Sequence, residues 1–486
     1  MAAAGVACRA QAAGAPEVVK TRMGRVQGAR TGQTAAFLGI PFAQPPVGEL
    51  RFRAPLPMVP WDDVRPALQY APAPVQEKRT HSSEDCLYLN VWRPATPGPH
   101  PVLFWIYGGG NTAGATGGIA DGEHFARNGI VCVTPAYRVG ALGFLDVSGV
   151  LGGKYEGSGN NGLRDQLLAL RWVHENIEHF GGDPHRVTIG GESAGAKDVC
   201  ALLGLRETRG LYHQAIVESG SGQTVHTYDG AALLAQQFLE CAGLATATAA
   251  RLRTMTPQQI LAAQRRLEQQ TSAFPFRMTV DSVLLDKTPL LLIREGSTRG
   301  IRLLAGSNHD ESALFVRGAE LNAPLRQSEL QNMTLKPAMA MVPKYEDLYP
   351  TMPWPQRKIR LLTAEEYWIP TLRVAEAHVE HGGTAYFYRF DRARTNGPLK
   401  GESPHAAELP FVWDSERRAP DAPALRASVH GAWLAFLKVG APALDGTAAW
   451  PKFDVRQRPE MLINNQSRVA FDPDGAERLL WQGWPA

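Results

Sequence analysis

The sequence has few cysteines, no long apolar run and almost no excess charge, and each shortage argues against a class of protein. Its five cysteines are scattered over 486 residues without C-x-x-C spacing. This pattern argues against a disulfide framework and against a cysteine-based metal site. No run of about eighteen apolar residues is present, so we expect no membrane-spanning helix. A formal net charge of +3 is too small to favour nucleic acid or an anionic membrane as a partner.

The N-terminal segment is poor in the residues that build a core. Residues 1–17 are rich in alanine and glycine and contain no aromatic residue. We therefore expect residues 1–17 to be disordered and residues 18–486 to form a single domain. Ala10-Gln11-Ala12 would suit a signal-peptidase site, although the segment lacks a charged start. Two interpretations stay open, a flexible terminus of a soluble cytoplasmic protein or the remnant of an export signal.

The residues around Ser193 predict a nucleophile on a sharp turn between a strand and a helix. Val187–Ile189 is a β-branched run typical of a buried strand, and Ala194–Leu205 has the pattern of a helix. Between them, Gly191–Gly195 reads G-E-S-A-G, a match to the G-x-S-x-G nucleophile turn. Its glycines permit a strained backbone, and the following helix favours negative charge near the serine. The alternative is a serine with a purely structural role.

Three consecutive glycines, Gly108–Gly110, directly follow the apolar run Val102–Tyr107. That run is typical of a central parallel strand covered on both faces. Because each glycine costs chain entropy, the triplet requires a physical reason. One interpretation is a flexible loop. The other is a loop whose unhindered N–H groups face a developing oxyanion. Asn111, the next residue, either hydrogen-bonds the substrate or holds the loop.

The order of predicted elements indicates an α/β protein whose central, mostly parallel sheet is flanked by helices. Predicted core strands are Ile130–Ala136, Ala215–Glu218 and Leu303–Gly306. Residues around 225–300 have helical patterns, and residues from about 320 to 360 are rich in Met, Pro, Trp and Tyr, which suit adaptable apolar contacts. We therefore expect cap-like insertions around 225–300 and 320–380. Within the second of these, Thr363–Glu380 is predicted to be a helix that Pro370 disturbs.

A serine nucleophile requires a base, usually a histidine, and a carboxylate that orients this base. Asp310 and Glu311 stand in the loop after Leu303–Gly306, so both are candidates for the carboxylate. Four histidines follow them: His378, His381, His405 and His430. The first and last of these lie in predicted helices. His405 lies in a loop after the predicted strand Thr384–Phe390, which is the position expected of a catalytic base.

Taken together and in this order, the motifs resemble those of the type-B carboxylesterase and cholinesterase-like family of α/β-hydrolases, in particular its bacterial carboxylesterases. The resemblance extends from Gly24 to Trp481. Its markers are Gly39–Ala43, Ser83–Val91, Tyr107–Gly110, Tyr137–Leu145, Gly162–Gln166, Phe180–Pro184, Gly191–Gly195 and Asn308–Ser312. The resemblance implies an α/β-hydrolase catalytic domain that cleaves esters through an acyl-enzyme, with no metal and no other cofactor.

The resemblance also implies roles for individual residues. Ser193 matches the family nucleophile and His405 the base, and the family pattern selects Glu311 over Asp310 as the acid. The implied oxyanion donors are the backbone N–H groups of Gly109, Gly110 and Ala194. Two further residues, Glu192 and Ser219, match family positions beside the triad. Two implied ion pairs, which we expect to be structural, are Arg51 with Glu84 and Arg138 with Asp165.

The chain departs from the family pattern at several positions. Choline-binding relatives have a tryptophan shortly before Ser83–Val91, whereas Ala73–Lys78 contains no aromatic residue. A cation–π site would lack its best residue, which argues against a cholinesterase. No cysteine lies between Cys8 and Cys86, so we expect Cys86 to be a free thiol. Lys197 is also unusual, and the sequence offers no account of it.

We therefore expect a carboxylic-ester hydrolase that acts on small-molecule esters, with short-acyl or aryl esters favoured. We expect no nucleic-acid partner, and a monomer or a small homo-oligomer. One alternative is an amide or carbamate hydrolase that uses the same triad. A second is a non-catalytic binding protein on the same fold, which would not need Ser193. The natural ester, its acyl length and the stereochemical preference are not determined by the sequence.

Overall fold

A computed structural model describes residues 14–77, 79–447 and 449–484. These residues form two compact units. The first unit comprises the described residues of Met1–Ile189, Thr208–His213 and Tyr228–Gln264. The second comprises those of Gly190–Glu207, Gln214–Thr227 and Arg265–Ala486. The single domain over residues 18–486 and the cap-like role of its insertions stay predictions.

The first unit is built on a sheet whose outer strands are antiparallel. Its strands are β1 (Ala15–Lys20), β2 (Arg25–Thr31), β3 (Thr34–Pro41), β4 (Val64–Pro66), β7 (Tyr88–Pro94), β8 (His100–Ile106) and β9 (Val131–Pro135). The short β4 pairs parallel with β2, and β5 (Ala73–Pro74) and β6 (Ser82–Ser83) form a separate parallel pair. The main strand order is β1-β2-β3-β7-β9-β8. All neighbours are antiparallel except β8 and β9, which run parallel. Strand β10 (Gly182–Glu192) begins in this unit and ends in the second.

The second unit contains the parallel strands that carry the candidate site. They are β11 (Gln214–Glu218), β12 (Arg302–Asn308), β13 (Thr384–Phe390) and β14 (Pro459–Ile463), followed by the edge strand β15 (Arg468–Phe471). Successive pairs from β11 to β14 are parallel, and β15 is antiparallel to β14. The strands predicted at 130–136, 215–218 and 303–306 are thus confirmed, with boundaries shifted by at most two residues.

Helices accompany both sets of strands. Those of the first unit are Glu123–Arg127, Gly140–Phe144, Ser148–Leu151, Asn161–Asn176 and Tyr228–Cys241, and Pro257–Gln270 begins there. Those of the second unit are Ala194–Gly204, Pro289–Arg294, Ala319–Asn322, Leu335–Leu348, Trp354–Thr363, Ile369–Glu380, Leu409–Val412, Pro423–Val439 and Gly475–Leu480. In the described residues, no helix is both long enough and apolar enough to cross a bilayer.

The helix predicted over Thr363–Glu380 is interrupted in the turn before Pro370. A π-helical turn, Ala364–Trp368, separates Trp354–Thr363 from Ile369–Glu380. Proline lacks an N–H donor, and its ring clashes with the carbonyl four residues earlier, here that of Glu366. The widened turn accommodates both effects and directs several polar side chains into the second unit, where Glu365 and Glu366 are buried.

The disorder expected for residues 1–17 is wrong for Ala15–Glu17. These residues begin β1, which pairs antiparallel with β2. The pairing starts with Ala15 opposite Arg30. The Glu17 carboxylate accepts a 2.9 Å hydrogen bond from Arg30 Nε, which ties the strand to its neighbour. The remaining expectations for the segment, including the candidate cleavage site at residues 10–12, concern residues 1–13 and lie outside the described residues.

Both ion pairs expected in the first unit are confirmed. Arg51 Nε lies 2.6 Å from Glu84, and the remaining guanidinium nitrogen Nη1 donates to two backbone carbonyl groups. Arg138 is bidentate with Asp165 at 2.7 and 2.8 Å, and almost no surface of either side chain is exposed. Cys86 is buried and forms no disulfide, as expected. Cys132, Cys200 and Cys241 are also buried and free.

Candidate active site

The predicted nucleophile turn is present at Ser193. Strand β10 ends at Glu192, and the helix Ala194–Gly204 begins directly after the serine. Ser193 has φ 60° and ψ −126°, a conformation that costs a non-glycine residue roughly 1–3 kcal/mol. Its N–H donates to Glu218 O at 2.9 Å, which fixes the turn against β11. A strained serine at the N-terminus of a helix is the local geometry that the motif predicts.

The carboxylate of Glu311 is held by three residues of the second unit. It begins a 3-10 turn, Glu311–Leu314, shortly after β12, and it is fully buried. Its Oε1 accepts the Asn308 N–H at 2.7 Å and the Ser219 hydroxyl. Its Oε2 lies 2.5 Å from His405 Nδ1. These contacts fix the carboxylate and orient the imidazole.

The neighbouring candidate acid, Asp310, has different partners. Its carboxylate accepts the Ser403 N–H at 2.9 Å and lies 2.8 Å from His309 Nδ1. The structure therefore brings Glu311 to the His405 ring, and Asp310 to another histidine. Of the other candidate bases, His378 contacts Thr298 and His430 contacts the Val412 carbonyl, so both are engaged in the core.

His405 is buried among charged and aromatic neighbours. On the side opposite Glu311, its Nε2 lies 3.1 Å from Glu192 Oε1. The ring centres of Tyr367 and Phe315 lie 4.6 and 5.2 Å from that of the imidazole. In the described part of the chain, no hydrogen bond joins the Ser193 hydroxyl to His405. Catalytic hydrogen bonds are often long before substrate binds, so the absence of this bond does not exclude a catalytic pair.

The charges around His405 alter its basicity. Burial by itself lowers the pKa of His405, but attraction to Glu192 and Glu311 outweighs burial and raises this pKa to about 9. Burial raises the pKa of Glu192 to about 7, although the positive charge of His405 opposes this shift. The Glu192 carboxylate therefore favours the charged form of the His405 imidazole.

Two buried residues that sequence analysis missed extend this network. Asn308 Nδ2 donates to Glu408 Oε2 at 2.6 Å and lies 3.3 Å from Glu311 Oε1. Burial and repulsion from Glu192 and Glu311 raise the pKa of Glu408 to about 8. The sequence feature that could have identified Glu408 is its position three residues after His405, beside an apolar stretch. Asn308 was already part of a family marker, but nothing in the sequence showed what it would contact.

The glycine triplet lies in a tight loop of the first unit. Gly109 has φ 125°, and a Cβ atom there would stand 2.2 Å from Ala113 O. Within the described residues, the N–H groups of Gly109 and Gly110 donate no hydrogen bond. Asn111 is buried, and its carbonyl accepts the Gly140 N–H at 2.6 Å. The backbone of Asn111 therefore helps to hold the loop, while the two glycines keep donors available.

Comparison with known proteins matches this arrangement to a family. The model of the family described as "Carboxylesterase family" matches residues 15–478. The para-nitrobenzyl esterase of Bacillus subtilis (strain 168) is 34% identical, over 95% of this chain and 98% of its own. The chain belongs to the carboxylesterase family. An acetylcholinesterase of Bungarus fasciatus is 31% identical, over 92% of this chain and 83% of its own.

Solved carboxylesterase structures agree with the fold. A carboxylesterase of Geobacillus stearothermophilus superimposes with a TM-score of 0.85 and 34% identity, covering 96% of this chain and 100% of its own. A PNB esterase gives the same TM-score at 33% identity, covering 96% and 99%. The protein is therefore a carboxylic-ester hydrolase with the α/β-hydrolase fold. In the described residues, no group of three or more His, Cys, Asp or Glu side chains could hold a metal ion.

Proposed function

We propose that Ser193, His405 and Glu311 form the catalytic triad of this carboxylesterase. The observation that carries the proposal is the 2.5 Å contact between Glu311 and His405 Nδ1, in the unit that also holds the strained Ser193. The contact keeps the proton on Nδ1 and leaves Nε2 as the basic atom. The nearby Glu192 carboxylate favours protonation of Nε2, whereas accepting the serine proton requires Nε2 to be neutral.

The reaction follows from these roles. Ser193 Oγ attacks the ester carbonyl carbon while His405 Nε2 takes the hydroxyl proton. Glu311 stabilises the resulting imidazolium, which then protonates the leaving alcohol. A water molecule, deprotonated by His405, cleaves the acyl-serine and releases the carboxylic acid. The Ala194 N–H, at the start of a helix, is a suitable donor to the oxyanion. The oxyanion roles of Gly109 and Gly110 stay predictions from the sequence.

We propose aryl and benzyl esters with short acyl chains as the preferred substrates. Two observations support this preference. The Bacillus relative is named for a para-nitrobenzyl ester, and it matches 95% of this chain. In addition, the aromatic rings of Phe315 and Tyr367 lie beside His405, and such rings favour flat apolar groups.

The test is hydrolysis of p-nitrophenyl esters from acetate to palmitate by the wild type and Ser193→Ala. We expect turnover to peak at short acyl chains and to fall by about 10⁶-fold in the variant. Ser328→Ala, at an exposed serine of the same unit, is the matched control and should retain wild-type turnover. A fluorophosphonate should label the wild type and Ser328→Ala but not Ser193→Ala.

Two results would contradict the proposal. Substantial turnover by Ser193→Ala would exclude this serine as the nucleophile. Hydrolysis of the matching p-nitroanilides with a kcat/KM above that of the esters would favour amide cleavage instead. The acyl-length profile is a separate result, so a peak at long chains would overturn only the proposed substrate preference.

A further inference from the structure

Lys197 lies one helical turn beyond the proposed nucleophile. Residues four apart share a face of a helix, and the Lys197 N–H donates to Ser193 O at 3.0 Å. The Lys197 ammonium lies 3.0 Å from Glu366 Oε1 and 5.5 Å from the centre of the Tyr367 ring. The two charged side chains are largely buried, with 13% and 10% of their surface exposed. The cation is therefore enclosed on the side of the helix that carries Ser193.

Tyr367 connects this cation to the proposed base. The Tyr367 ring contacts both groups: its centre lies 5.5 Å from the Lys197 ammonium and 4.6 Å from the centre of the His405 ring. The π-helical turn Ala364–Trp368 supplies both Glu366 and Tyr367, and such turns are frequent at functional sites. The ion pair and the proposed triad are thus parts of one buried cluster in the second unit.

A second buried lysine of the same unit shows how a purely structural ammonium is held. The fully buried Lys358 Nζ donates to three backbone carbonyl groups and to Glu329, at 2.8 to 3.4 Å. The Lys197 ammonium has three N–H donors, but among the described residues Glu366 is its one side-chain acceptor. A lysine buried only for stability would use its remaining donors, because desolvating them is costly.

We propose that Lys197 determines substrate specificity by donating a hydrogen bond to a neutral oxygen atom of the ester. The inference rests on the proposed function, because its position matters only if Ser193 is the nucleophile. Glu366 neutralises the cation, so the favoured group is an ether, hydroxyl or carbonyl oxygen rather than a carboxylate. The ring of Tyr367 provides an apolar face beside this donor.

The test compares phenyl esters that differ by one oxygen atom, using a pH-stat. On the acyl side, phenyl 3-methoxypropanoate is compared with phenyl pentanoate. On the alcohol side, 4-methoxyphenyl acetate is compared with 4-ethylphenyl acetate. For at least one pair, we expect Lys197→Met to lower the kcat/KM ratio of the oxygenated to the apolar ester about tenfold. Comparing variants cancels the intrinsic reactivity of the esters.

Lys287→Met is the matched control. Lys287 forms an exposed 2.5 Å ion pair with Glu295 in the same unit, so this variant also removes a lysine from a Lys–Glu pair. Both kcat/KM ratios should stay within about twofold of the wild type. A change as large as that of Lys197→Met would mean that the effect is not specific to the cluster and would overturn the proposal.

Glu366→Gln tests the charge arrangement independently of the folding of Lys197→Met. Without Glu366, the Lys197 cation loses its hydrogen-bonded counter-charge and should attract an anionic substrate more strongly. The kcat/KM of monophenyl adipate relative to phenyl hexanoate should therefore rise about fivefold. An unchanged or lower ratio would show that no substrate group reaches the Lys197 ammonium and would overturn the proposal.

Failure of this inference can be distinguished from failure of the proposed function. If Ser193→Ala abolishes hydrolysis of phenyl pentanoate while Lys197→Met leaves both oxygen ratios within about twofold, the specificity role is wrong and the triad proposal stands. If Lys197→Met does not fold, the adipate ratio of Glu366→Gln decides. Wild-type hydrolysis that does not depend on Ser193 would overturn both proposals.

Discussion

Two groups of buried charges in this protein are built in opposite ways. In the first unit, Asp165 accepts two guanidinium hydrogen bonds and the backbone N–H of Arg138, and Arg138 also donates to Arg53 O. In the second unit, His405 lies between two carboxylates, with Glu408 buried nearby. The first group pairs one positive with one negative charge, whereas the second has more carboxylates than cations.

This difference separates a structural role from a chemical one. A balanced, fully hydrogen-bonded pair has one stable protonation state, and removing either partner leaves an uncompensated buried charge. An unbalanced cluster must share protons, so its groups titrate within the range where enzymes work. We therefore expect changes to Arg138 and Asp165 to alter stability, and changes around His405 to alter rate and pH dependence.

The largest expected effect is on rate, at Glu311. Glu311→Gln keeps the size of the side chain but removes the charge that orients and stabilises the imidazole. We expect kcat for phenyl pentanoate to fall about 10⁴-fold. Asp310→Asn is the matched control, because Asp310 contacts His309 rather than His405, and it should retain most of the wild-type kcat. A loss in Asp310→Asn as large as that in Glu311→Gln would reverse the assignment of the acid.

The next effect is on stability, at Asp165. Asp165→Asn leaves the buried Arg138 cation without its counter-charge and should lower the free energy of unfolding by about 3–5 kcal/mol. Urea denaturation measures this change. Arg127→Met breaks the partly exposed Arg127–Glu123 pair of the same unit and should cost about 0.5 kcal/mol or less. Equal losses in both variants would remove the contrast between balanced buried pairs and surface pairs.

A third prediction concerns the pH profile. His405 must be neutral to act as a base, and its pKa is raised to about 9, so kcat/KM should rise as pH increases toward that value. Glu192→Gln removes one of the charges that favour the imidazolium. The rise of kcat/KM with pH should then occur at lower pH, by about one unit. If the rise of kcat/KM occurs at the same or a higher pH in the variant, Glu192 does not raise the pKa of His405.

The smallest effect is a pH dependence of stability at Glu408. Its pKa is raised from 4.5 to about 8, so the folded state binds this proton more tightly than the unfolded state does. Its contribution is fully present below pH 4.5 and is lost as the pH rises through about 8. Over this pH interval, the free energy of unfolding should therefore fall less for Glu408→Gln than for the wild type, by about 1–3 kcal/mol. Parallel stability curves for the two proteins would contradict the raised pKa.

Much of the fold and of the candidate site could be predicted because local rules act over short stretches. The strand, the glycines and the helix around Ser193 predict the strained turn without reference to distant residues. The effect of Pro370 was also predictable, since a proline disturbs the turn that precedes it. Apolar runs also predicted strands of the second unit, and β11, β12 and β13 begin within one residue of their predicted positions.

The choice between neighbouring residues was less accessible. Asp310 and Glu311 are equivalent by position, and only resemblance to a family favoured Glu311. The structure separates them because adjacent side chains at the end of β12 point to different histidines. The expectation for residues 15–17 failed because strand pairing with β2 orders a segment whose composition alone predicts disorder.

The sequence by itself determined the nucleophile turn, the alternation of strands and helices and the membership of a family, because each depends on local pattern. Only the tertiary structure decided that Glu192 reaches His405, that Glu408 shares Asn308 with Glu311, and that Lys197 is paired with Glu366. These contacts join residues up to 213 positions apart in the chain, as between Glu192 and His405. Their energies depend on distance, burial and neighbouring charge, which no local pattern specifies.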